Sequence, residues 1–173
     1  MLVYTIKELC RTCYTCVREC PARAIRIVGG QAEVITEKCI ACGNCTKVCS
    51  QGAKVFVNTV DLVRKVLARP GKRAAIIAPS FPAEFHDVPD YQKVVGMIRA
   101  LGFDYVSEVS FGADMVAPRY RNLISEAGAR NYISSDCPAI VSFIRFYHPD
   151  LTPELIPVVS PMVAMARVMR KKY

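Results

Sequence analysis

The chain of 173 residues has no long uninterrupted apolar run. Its best candidate, LIPVVSPMVAMARVM, is broken by two prolines and an arginine. A membrane-spanning helix needs roughly 18 or more apolar residues, so no membrane span is expected. Lys7 and Glu8 fall within the first eight residues, leaving no room there for the apolar core of a secretion signal. No segment is low in complexity and 52% of the residues are hydrophobic, which points to a folded, soluble, cytoplasmic protein. Long basic runs are also missing; none exceeds the RKK near the end. The formal charge of +8 is spread evenly, with eight bases against four acids in residues 1–58 and fifteen against eleven in the rest. That distribution argues against nucleic acid and for a basic exterior able to attract an acidic protein partner. Histidine is scarce: His86 and His148 stand alone in loop-like contexts, and neither is assigned chemistry.

Cysteine, by contrast, is abundant. Eight of the nine fall at 10, 13, 16 and 20 and again at 39, 42, 45 and 49. CRTCYTCVRECP and CIACGNCTKVCS share the form C-x2-C-x2-C-x3-C and begin 29 residues apart. Each is followed by a small-residue turn and a β-branched run, ARAIRIV and QGAKVFV. In the cytoplasm cysteines are metal ligands more often than disulfides. Zinc sites pair two C-x2-C units across a longer loop, whereas here a triplet plus one is written twice. Three thiolates two residues apart can wrap one corner of a cuboidal cluster. The fourth, three residues on, sits on a short helix and points across to the other cluster, as in two-cluster ferredoxins. The expected ligand sets for two 4Fe–4S clusters are therefore Cys10, Cys13, Cys16 and Cys49, and Cys39, Cys42, Cys45 and Cys20. Two such clusters would each add about −2 to the charge and would exchange electrons singly. The region resembles bacterial-type two-cluster ferredoxins; Ser50 replaces the proline that Pro21 supplies after the first motif.

Beyond VFVN the pattern becomes that of alternating strands and helices. A helix is expected over TVDLVRKVLARPGK, a strand over RAAIIAPSF, and a polar stretch over PAEFHDVPD. A helix over YQKVVGMIRALGF and a strand over DYVSEVS follow. FGADMVAPRYRNLISEAG reads as a helix kinked at Pro118, RNYISS as a third strand, and DCPAIVSFIRFYHP as a helix with Ile140, Phe143, Ile144 and Tyr147 on its apolar stripe. Ser160 caps a last helix in which Met162, Met165 and Met169 form a core stripe. This order implies a parallel sheet covered by helices, with ligands at the C-terminal strand ends. The fold class is thus an α+β ferredoxin-like domain (1–58) followed by an α/β parallel-sheet lobe (59–173). The ninth cysteine, Cys137, lies at a strand-to-helix turn before Pro138. As an N-cap its thiolate would be favoured, although a buried, inert cysteine is the more common case and the reading that the residues alone favour.

Several segments resemble the large-subunit catalytic domain of iron-only hydrogenases. ISSDCPAIVSF, with its continuation through FYHPD to VVSP, is similar to the family's Thr-Ser-Cys-Cys-Pro motif. VSEVSFGADM resembles its Phe-Gly-Ala-Asp helix start, and IIAPS its Ala-Pro strand end. The resemblance implies that Cys137 is one ligand of the hydrogen-activating cluster and that Asp136 stands where a cysteine relays protons. It also implies three further cysteines, in Pro-Cys-x-x-Lys and Cys-x3-Cys segments, which this sequence does not contain. A hydrogen-activating cluster is therefore not expected on this chain alone, nor is hydrogen turnover. The chain is expected to be an N-terminal portion of a longer protein, or the partner of one, that moves electrons to redox partners or further domains. A redox or hydrogen sensor module and a stand-alone ferredoxin-type carrier are the alternatives.

Overall fold

The computed structural model describes residues 2–88, 90–126, 128 and 130–173. They form two compact units: the chain up to Thr59 together with Cys137–Pro153, and Val60–Asp136 together with Glu154–Tyr173.

The first unit carries the sequence repeat into three dimensions. Strand β1 (Val3–Thr5), helix α1 (Thr15–Arg18) and strand β2 (Ile25–Val28) recur as β3 (Gln31–Val34), α2 (Asn44–Lys47) and β4 (Lys54–Phe56). Strand β2 pairs antiparallel with β3, Ile25 opposite Val34, and β1 pairs antiparallel with β4, Val3 opposite Phe56. Exchanging the halves exchanges the two ladders. Gly29 and Gly30, at φ 56° and 75°, make the two-residue turn between β2 and β3, where both positions must be left-handed to match the strand twist. The backbone irregularities repeat too. Thr12 and Ala41 (φ 53° and 58°), Tyr14 and Gly43 (63° and 77°), and Arg23 and Gly52 (45° and 61°) are paired by the same offset. Four of these six are not glycine, and such conformations cost about 1 kcal/mol or more each. The strained loops aim cysteines inward. The core between them is thin, made of Val3, Ala22, Ala24, Ile25, Ala32, Val34, Ile40 and Ala53.

Helix α7 (Pro138–Tyr147) belongs to this unit by packing. Phe143 lies on the cluster of Ala22, Ala24 and Ile40. The Tyr147 hydroxyl donates to the carbonyls of Ala22 (2.6 Å) and Lys38 (3.1 Å).

The second unit is mixed α/β with one small sheet. Helix α3 (Val60–Leu67) leads in, with Val60, Val63 and Val66 open to solvent. Strands β5 (Ala74–Ile77) and β6 (Tyr105–Glu108) are parallel, Ala74 opposite Tyr105. Between them lie a single turn, α4 (Phe81–Glu84), within the stretch read as polar, and α5 (Tyr91–Ala100), capped by the Asp90 carboxylate on the Gln92 N–H at 2.9 Å. Pro89 of that polar stretch lies outside the described residues.

Helix α6 runs unbroken over Ser110–Glu126 and contains Pro118; the helix read to Gly128 includes Ala127, outside the described residues. It packs on α8 (Pro161–Lys172), whose Ser160 cap accepts from the Val163 N–H at 3.4 Å. Met165 and Met169 are buried, but Met162 is 58% exposed, so the methionine stripe is core over only two of its three members. The expected third strand is not formed: residues 130–135 make one parallel bridge, Ile133 to Leu155. There the Ser135 hydroxyl reaches the Ile156 and Val158 carbonyls (2.6 and 3.1 Å), so a side chain takes up acceptors that a longer ladder would use.

Candidate metal centres

The eight repeated cysteines surround two cavities, and each cavity mixes the two halves. Cys10, Cys13 and Cys16 share the first with Cys49; Cys39, Cys42 and Cys45 share the second with Cys20. Shifting each lining residue of the first cavity by the 29-residue offset gives a lining residue of the second. In each half, the short helix sends its two cysteines to different cavities. Cys16 is in the first turn of α1 and Cys20 lies just past its end. Cys45 and Cys49 repeat this on α2.

Backbone amides already point at the sulfurs. The Ala24 N–H donates to Cys20 Sγ and the Ala53 N–H to Cys49 Sγ, both at 3.2 Å. Cys10 is held below the usual thiol range by the N–H groups of Ala32 and Thr12, with help from the Lys54 charge. Cys13 is lowered by the Thr15 hydroxyl, 3.4 Å away, and the Thr15 N–H. Burial pushes Cys16 and Cys45 up, partly countered by Lys54. Lys54 is itself buried at 3% exposure. Its ammonium donates to Thr5 Oγ1 at 2.6 Å and lies 3.4 Å from the Ala32 carbonyl; among the described residues no carboxylate pairs with it. A buried cation needs a counter-charge, and the neighbouring thiolates are the available one.

Among the described residues, no three His, Cys, Asp or Glu side chains converge as ligands of a single ion would. Four thiols around an open volume, amides aimed at sulfur and a buried ammonium fit an anionic polynuclear iron–sulfide group.

Cys137 lines neither cavity. It is exposed and is the N-cap of α7, with no side-chain capping bond. The other end of that helix, about 15 Å away along its axis, rests on the wall of the second cavity through Tyr147. Burial, then the Cys20 and Cys39 thiols, raise the Tyr147 phenol. Asp136 is exposed and fixed in place: its Oδ1 accepts from the Tyr120 hydroxyl at 3.1 Å, and its N–H lies 3.4 Å from Ser134 Oγ. The sequence gives Lys54 no role and puts Tyr147 only on the apolar stripe of its helix. Lys54 was detectable by superposing the repeats, where it falls on Ile25; nothing in sequence placed Tyr147 beside the cysteines.

Residues 72–173 match the family model described as "Iron only hydrogenase large subunit, C-terminal domain", and residues 2–50 match a "4Fe-4S dicluster domain". Over 153 residues the chain is 27% identical to the NADP-reducing hydrogenase subunit HndD of Solidesulfovibrio fructosivorans, covering 78% of this chain and 26% of that protein. It is 25% identical over 163 residues to the nuclear prelamin A recognition factor of Xenopus laevis, covering 81% and 36%. A 44-residue stretch is 50% identical to one component of an ion-translocating oxidoreductase complex from Methanosarcina acetivorans, covering 25% and 17%. The chain thus spans between 17% and 36% of the length of these curated relatives. Among the described residues no helix is long and apolar enough to cross a membrane.

Proposed function

The chain belongs to the iron-only hydrogenase large-subunit family and is a redox iron–sulfur protein; from that premise we propose that it is a two-cluster electron-transfer module. Residues 1–58 hold two 4Fe–4S clusters with exchanged fourth ligands, and residues 59–173 form the hydrogenase-like part. Such clusters supply one-electron chemistry with little rearrangement. The protein's own task is to hold two of them in one small unit, exclude bulk water from them and set their potentials. The observation that carries this reading is the pair of thiol-lined cavities, related by the sequence repeat and each completed by the other half's last cysteine. Helix α7 then offers a link from the second cavity's wall to Cys137, the one thiol left over. A single thiol cannot hold a four-iron cluster, so Cys137 acts as a ligand only together with further thiols from elsewhere, in redox partners or other domains.

The test is an anaerobic iron and sulfide count with EPR of the reduced chain. The expected result is about eight irons and two interacting 4Fe–4S signals; four irons or fewer in intact protein would overturn the reading. Cys49→Ser should disturb the cluster of the first triplet and Cys20→Ser that of the second. The opposite pattern refutes the exchanged ligand sets. Hydrogen evolution by the chain alone should be near zero.

A further inference from the structure

The two cavities are copies in shape but not in chemistry. Corresponding positions read Thr5 against Val34, Thr12 against Ala41, and Gln51 against Ala22. Arg11 corresponds to Ile40, and Lys54 to Ile25. In each pair the first cavity has the polar or cationic member. The largest contrast is Lys54, an ammonium inside the protein where the other half buries an isoleucine at 7% exposure. Its two acceptors complete the difference. Thr5 Oγ1 takes one bond from Lys54 and gives one, at 2.5 Å, to the Ala32 carbonyl, while Val34 and Val3 occupy the equivalent places in the second half. Cys13 also has the Thr15 hydroxyl at 3.4 Å, where Asn44 in the second half turns instead to the Glu19 carbonyl at 2.6 Å. On the far side, Phe143 of α7 adds apolar cover to Ala22, Ala24 and Ile40, three residues of the second cavity's lining.

We infer that Lys54 makes the two centres inequivalent, so that the first electron to enter the protein resides at the Cys10–Cys13–Cys16–Cys49 centre and the Cys39–Cys42–Cys45–Cys20 centre, beside α7, is the stronger reductant. The argument rests on the two-cluster reading. Each centre takes one electron and no proton, so reduction adds one negative charge. A buried cation stabilises that charge; an apolar wall does not. The Lys54 charge also reaches Cys45 of the second set. Of the two cavities, however, it lines only the first, together with Cys10 and Cys16.

The test uses the full chain loaded anaerobically and titrated with dithionite. Iron is counted first, and paramagnetic NMR of assigned cysteine β-protons identifies the centre reduced at the one-electron stage. In the unsubstituted protein the form reduced at the Cys10 set should outnumber the other at least about tenfold, or 59 mV for one electron. Lys54→Met should move this ratio toward parity, and Lys54→Arg should restore the preference. With about eight irons bound, parity in the unsubstituted protein, or a first electron at the Cys39 set, refutes the inference alone. So does a Lys54→Met protein with an unchanged ratio. If Lys54→Met does not assemble, the unsubstituted ratio still decides. An unsubstituted chain holding four irons or fewer refutes the two-cluster reading, and this inference with it.

Discussion

Gly112→Ala tests the packing of the second unit. Gly112 lies in α6 where that helix meets α8. A Cβ built there stands 2.1 Å from the Pro161 carbonyl oxygen, 2.9 Å from the Pro161 carbonyl carbon and 3.2 Å from Met165 Cβ. Ordinary contact begins near 3.4 Å, so the oxygen would have to retreat by more than 1 Å. It cannot swing away by itself, because Pro161 opens α8 and the Ser160 cap binds the next turn at Val163. The end of the helix must move, and with it the buried Met165 and Met169. Overpacking of this kind costs about 1–3 kcal/mol, occasionally more. Rigid backbone as the obstacle points to the upper end, and replacing glycine by alanine in a helix returns about 1 kcal/mol. The net loss should be about 2 kcal/mol, or roughly 8–16 °C in Tm for a unit of about 100 residues. Gly96 is the control. It is exposed within α5, its φ is ordinary and nothing lies within 4 Å of where a methyl would stand, so Gly96→Ala should stabilise by up to about 1 kcal/mol. Far-UV circular dichroism in urea reads both variants, while visible absorbance monitors the metal centres independently. If Gly112→Ala proves as stable as Gly96→Ala, the close approach of α6 and α8 is wrong.

Three further outcomes are expected. In metal-free protein, iodoacetamide labelling followed by mass spectrometry should modify Cys10 and Cys13 at lower pH than Cys16 and Cys45, because the first two are shifted down and the latter two up; the reverse order would contradict the hydrogen bonding at the sulfurs. Tyr147→Phe removes the one donor shared by the Ala22 and Lys38 carbonyls and should cost about 1 kcal/mol. Faster amide exchange confined to α7 is the signature, and unchanged exchange would mean that the phenol does not anchor the helix. Cys137→Ala should leave the iron content of the chain unchanged, since that thiol lines neither cavity; loss of iron would place it in one of the two centres.

The two C-x2-C-x2-C-x3-C motifs made the repeat of cysteines legible before any fold was known, because their spacing is a local property of the chain. The helices α5, α6, α7 and α8 were legible too, since a 3.6-residue apolar period and caps such as Asp90 and Ser160 act within a few residues. The third strand was not. RNYISS has a strand's composition, but a strand exists only through its partner, and the Ser135 hydroxyl takes the carbonyls that its neighbour would have offered. Met162 reads like Met165 and Met169 but is exposed, because burial depends on which helix lies opposite. The placement of α7 on the cysteine-rich unit joins Tyr147 to Ala22 across 125 positions, a pairing that no local signal encodes. Sequence by itself determined the chemistry of the centres, eight thiols in two repeated sets. Only the tertiary structure decided their surroundings, since the field at a metal centre is set by whatever the fold brings near it: a lysine on one side and an isoleucine on the other.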